Sequence, residues 1–171
     1  RPVKALKASP ELPPDRRALQ EVQLQGAGLQ RADRGSSAAI GEIQNRIAHV
    51  RAALVVTPSA GEAERDVLQQ LTTRLADISV AIHGDSTIAG RNEHAPMSIA
   101  NRAGSLYGTL VYSQSAVVGN FRDSYAVAAQ EFTAALQSLR LVERDLAALD
   151  TALEITGAPW TPGRIPEWSA D

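Results

Sequence analysis

The stretch NFRDSYAVAAQEFTAALQSLRLVERDLAALDTALEITG, residues 120–157, carries apolar side chains at Phe121, Tyr125, Ala128, Phe132, Ala135, Leu139, Val142, Leu146, Leu149 and Leu153. The steps between them alternate between three and four residues, the period of one face of an α-helix. A strand would show alternation at every second residue, and none is present. The stretch therefore predicts one long amphipathic helix, with Asn120 as its N-cap, Asp123 in its first turn and Gly157 just past its end.

Downstream, GAPWTPGRIPEWSAD sets Pro159, Pro162 and Pro166 among both tryptophans, Trp160 and Trp168. Proline at that density forbids a continuous helix. Residues 158–171 are expected to lie along the helical body as a tail, with the tryptophans as anchors.

Upstream, Leu110–Gly119 is rich in β-branched residues and is read as a loop. Ser98–Gly108 is read as a shorter helix with Ile99, Ala103 and Leu106 on one face, and 84–97 as a glycine-rich polar loop. Before it, Val67, Leu71, Arg74 or Leu75, Ile78 and Ile82 form another helical stripe that ends at Gly84. Thr57-Pro58-Ser59 separates that stripe from an earlier one, and Ser59 with Glu62 has the spacing of a capping box.

The first stripe is the longest: Leu19, Val22, Gly26, Leu29, Asp33, Ser36, Ile40, Ile43, Ile47, Val50 and Leu54 keep one register throughout. That predicts a single helix of about 40 residues, roughly 60 Å long. Gly26, Gly28, Gly35, Ser36 and Ser37 are poor helix formers, so an irregularity is expected there, ahead of a close approach by a neighbouring helix. Residues 1–14 are read as an extended lead-in, residues 15–157 as the helical body. The fold class is all-α, an antiparallel four-helix bundle.

With 171 residues, 44% of them hydrophobic, the chain suffices for one domain with a core. A net charge of −2 with no dense basic run leaves no basis for a nucleic-acid partner. There is no cysteine, which excludes disulfides and thiolate chemistry. No segment is long and apolar enough for a membrane span. Because the chain opens on Arg1 and not on methionine, a targeting signal or partner domain is expected upstream.

Candidate chemistry is sparse. His49, His83 and His94 stand at no helical metal-ligand spacing, so no metal or other cofactor is expected. Glu143, Asp145 and Asp150, and Glu62, Glu64 and Asp66, are interleaved with arginines and read as solvated helix faces with pairs such as Glu42 to Arg46. No catalytic residue is assigned. The rival readings are a carbohydrate- or peptide-binding surface made by Trp160, Trp168, Tyr107 and Tyr112, and an enzyme site in the 84–97 loop around Asp85, Arg91, Glu93 and His94.

The segments SIANRAGSLYG, NFRDSYAVAAQEF and LVERDLAALDTALEITGAPWTPGRIPEW together resemble the C-terminal helical region of bacterial sortilin-like (VPS10 or BNR-repeat) β-propeller proteins, often labelled glycosyl hydrolases. That resemblance implies an exported, non-catalytic accessory domain that packs against or oligomerises the propeller. The partner would be a propeller in the same protein or another chain, with homo-oligomers as a further expectation. Any hydrolase activity would belong to the propeller, and no catalytic position maps here.

Overall fold

The computed structural model describes residues 14–91, 93–112, 119–162, 165–166 and 168–170, and among these the chain is helical with no strand. Five helices follow in order: α1 (Pro14–Val55), α2 (Glu62–His83), α3 (Ser86–Gly90), α4 (Ile99–Tyr112) and α5 (Gly119–Ile155). The expected lead-in lies outside the described residues except for Pro14, which opens α1. Proline suits that position because an N–H in the first turn has no intrahelical acceptor anyway.

α1 runs unbroken for 42 residues, so the irregularity expected at 26–37 is not there. Val22, Leu29, Ile40, Ile43, Ile47, Val50 and Leu54 are all buried along one seam. Nor, among the described residues, does a neighbour press on the glycines: a Cβ built at Gly26, Gly28, Gly35 or Gly41 meets nothing within 4 Å. The Ser36 and Ser37 hydroxyls donate to the Asp33 carbonyl at 2.8 and 2.9 Å, satisfying themselves within their own helix.

The cap between α1 and α2 sits two residues later than expected. Ala60 N–H donates to the Thr57 carbonyl at 3.1 Å, and this extra turn consumes Ser59. Gly61 N–H then donates to the Glu64 carboxylate at 2.8 Å, so Gly61 and Glu64, not Ser59 and Glu62, close the helix start, with the one bond that a cap lacking a side chain allows. The Ser59 hydroxyl donates instead to the Thr156 carbonyl at 2.8 Å, fastening this turn to the end of α5. α2 buries Leu68, Leu71, Leu75, Ile78 and Ile82, while Val67 is exposed. It ends where the sequence placed its stop: Gly84 takes φ +89° and its N–H donates to the Val80 carbonyl at 2.7 Å.

The 84–97 segment is not all loop. The Asp85 carboxylate accepts the Thr87 N–H at 2.8 Å and the Thr87 hydroxyl at 2.6 Å, which nucleates the single turn of α3. Ser98 starts α4 by accepting the Asn101 N–H at 3.2 Å. α4 continues through Tyr112, past the boundary expected at Gly108, because β-branched residues disfavour a helix by only about 0.7 kcal/mol at most. The rest of the expected 110–119 loop, 113–118, lies outside the described residues. Gly119 is already in α5, so Asn120 sits inside the helix and does not cap it.

One apolar core joins the four longer helices, and every pairing among α1, α2, α4 and α5 is in contact. Ala128, Phe132, Ala135, Leu139, Val142, Leu146, Leu149 and Leu153 of α5 are buried as their spacing requires. Contacts fix the register. Arg46 of α1 meets Asp150 of α5 and Ser59 of the following turn meets Thr156, whereas Ser37 and Arg51 of α1 meet His83 and Thr72 of α2. On α5, Asp145 receives Arg74 of α2 and Glu131 receives Arg102 of α4.

Candidate functional site

The C-terminal end of the helical body is organised by a polar lock. Arg46 Nη2 of α1 lies 2.9 Å from Asp150 Oδ2 of α5, and the Thr161 hydroxyl donates to Asp150 Oδ1 at 3.2 Å. The Asp150 side chain is only 2% exposed, so it is not the solvated carboxylate its arginine-rich surroundings suggested. Arg46 crosses to α5, and the pair expected within α1 between Glu42 and Arg46 is not the one its guanidinium makes. Thr161, also buried, pins the tail at this point, after Ala158 N–H has donated to the Leu153 carbonyl at 3.0 Å across Gly157 in its left-handed conformation.

The tryptophans contribute unequally. Trp160 is 40% exposed and shares a groove with His49, Ala53 and Val56 of α1 and its following turn, so it is partly seated as an anchor. Trp168 is 85% exposed and anchors nothing by burial. Tyr107 and Tyr112 lie on α4, not in a loop, and their side chains are outside the described residues. α4 meets α5 near Glu131, whereas Trp160 follows the end of α5.

Near the lock, where α1 and α5 end, several apolar side chains stand exposed. Val55, Val56 and Ile155 are 80%, 63% and 85% exposed. Val56 shares the Trp160 groove, and Ile155 is held beside the α1–α2 turn by the Ser59–Thr156 bond. Sequence reading passed over these residues because they lie off the buried stripes. That off-stripe placement was itself the available signal.

A second concavity lies midway along the body. Asp77, Ile78 and Ala81 of α2, the 84–99 segment, and Glu131, Ala134, Ala135 and Ser138 of α5 enclose a cleft of about 690 Å³. Of the loop residues proposed for chemistry, Asp85 lines this cleft and caps α3, and hydrogen bonds from Thr87 hold its carboxyl below the usual range. Asp85 also lines an adjoining depression, together with His94, His83 and Asn101. Arg91 and Glu93 are exposed and line neither, so only Asp85 and His94 of the expected quartet are brought to one concavity.

The closest approach to a nucleophile–base pair is Ser37 Oγ to His83 Nε2, at 2.7 Å. Ser37 also donates to the Asp33 carbonyl and lies mid-helix, where backbone N–H groups are consumed by the helix and are not free to stabilise an oxyanion. The pair ties α1 to the last turn of α2. Nearby Asp33 keeps Oδ1 buried without a hydrogen-bond partner; burial raises its carboxyl above the ordinary 3.8, against the pull of His83 and Arg34.

Among the described residues no group of three His, Asp or Glu side chains is placed to hold a metal, and no helix is long and apolar enough to cross a membrane. Neither a known protein family, nor a curated protein, nor a solved structure matches the chain.

Proposed function

We propose that this chain is a non-catalytic helical interaction domain of a larger exported protein, and that its apolar end face docks against a folded partner. The observation that carries this is the exposure of Val55, Val56, Ile155 and Trp160 around the turn after α1 and the end of α5, two segments that the Ser59–Thr156 bond joins. Exposed aliphatic side chains grouped on a rigid end are a cost to a lone domain and an asset at an interface. A β-propeller is the partner suggested by the resemblance of the C-terminal segments.

The helices that carry this face form a bundle with a particular order. α1 and α5 run in the same direction, and α2 and α4 both run against them, one after the other along their length. Contacts support this: Arg46 of α1 meets Asp150 of α5 and, just past the ends of both helices, Ser59 meets Thr156, while partners on α2 fall from His83 for Ser37 to Thr72 for Arg51. The meeting of Arg74 and Arg102 with α5 at Asp145 and Glu131 supports α2 and α4 lying in series. The cross-section is then three helices wide, in place of four abreast. A carbohydrate-binding reading by the tryptophans has less support, since Trp160 is partly seated against α1 and the turn after it.

The test is a Val55→Ser, Val56→Ser, Ile155→Ser variant in the full-length protein. It should melt within a degree or two of the parent, because surface changes of this kind shift stability by about 0.5 kcal/mol or less, yet lose its docked state by small-angle scattering. Retention of the compact docked state would refute the reading.

A further inference from the structure

We propose that the cleft between α2, the 84–99 segment and α5 binds a small cationic amphiphile, an amine or quaternary ammonium carrying an apolar tail. Its floor and walls are apolar: Ile78 and Ile99 lie in the core behind it, Ala134 and Ala81 line it, and Val80 and Met97, 47% and 55% exposed, face into unfilled space. At about 690 Å³ it falls in the range of about 300–1,000 Å³ typical of small-ligand sites.

Charge decides which amphiphile. The charged residues lining the cleft are Asp77, Asp85 and Glu131, and no arginine, lysine or histidine lines it. Arg102 reaches Glu131 only at 3.9 Å from outside the lining, and both side chains remain partly exposed. An apolar slot rimmed by three carboxylates repels an anionic detergent or fatty acid and attracts a cation of the same length. The lining spans α5 from Glu131 to Ser138, about 10 Å at 1.5 Å per residue, a match for a short chain.

Isothermal titration of the whole chain with octyltrimethylammonium and with octyl sulfate, both below micelle formation, tests this. The cation should bind one per chain and at least about tenfold more tightly than the anion, a difference near 1.4 kcal/mol. Added salt should narrow that gap. Ala81→Trp and Ala134→Trp, both at exposed positions, fill the cleft without touching the core and should abolish binding while circular dichroism stays unchanged. Asp77→Asn with Glu131→Gln should weaken the cation alone. Equal affinity for both detergents, binding that survives both tryptophan variants, or a dimer in sedimentation that either tryptophan variant dissolves, would overturn the proposal. The end face plays no part in this test.

Discussion

Arg46 and Asp150, more than a hundred positions apart in sequence, form a 2.9 Å ion pair between α1 and α5 in which the carboxylate is almost completely enclosed. Thr161 adds a third member from the tail, so a single carboxyl group links both long helices and the segment that follows them.

Removing the guanidinium takes one charge-assisted hydrogen bond from an enclosed carboxylate, a loss of about 1.5–3 kcal/mol. Arg46 is itself 28% exposed, so Arg46→Met is expected to cost about 1.5 kcal/mol in urea unfolding. Thr161→Val should cost about 1 kcal/mol and release the tail. In a Trp168→Phe background, Trp160 emission should then shift to the red with the far-ultraviolet dichroism unchanged.

Asp33 gives a prediction with a defined sign in pH. Its folded-state carboxyl titrates above the ordinary 3.8, so the folded state prefers the protonated form. Its contribution is full below that value and is lost as pH rises through the folded one, leaving a penalty at neutrality. Asp33→Asn should therefore raise the melting temperature at pH 7. The gain should shrink to nothing as the pH is taken below the ordinary value, and a gain that grows in acid would contradict the assignment.

Among the described residues nothing crowds the glycines of α1, so alanine fits them. Gly26→Ala and Gly35→Ala should each stabilise by about 0.5–1 kcal/mol, the helix-interior difference between the two residues. Thermal or chemical denaturation reads this directly, and a loss at either position would show that an undetected neighbour requires the space.

Much of this architecture was readable as periodicity, and the failures are instructive. The seams of α1 and α5 were legible because a stripe sustained over ten turns leaves only one face to bury. Val67 was assigned to the α2 stripe in place of Leu68 because both stand within one turn of Leu71, and only packing decides between adjacent positions. Asp150 was misread from its charged neighbours, although its place between Leu146 and Leu153 already put it at the edge of the seam. Which helix ends coincide in space, and hence the end face and the cleft, depends on tertiary register that no local spacing encodes.

That register is measurable. Spin labels at Gln44 with Ala148, all on exposed positions, should be close together, separated by little more than the 8–10 Å typical of packed helix axes plus the linkers. Labels at Gln44 with Ala126 should be farther by about 33 Å of axial rise. The reverse order would show α1 and α5 to be antiparallel.

The most direct measurement of the interaction role is site-specific photo-crosslinking in cells, with the reactive residue placed at Ile155 or, as a control, at Gln70 on the outer face of α2. We expect Ile155 to give one dominant crosslinked peptide pair, from a β-propeller in the same polypeptide or another, and Gln70 to give none. Indistinguishable patterns from the two positions, or no specific product from Ile155, would contradict an end face built for docking.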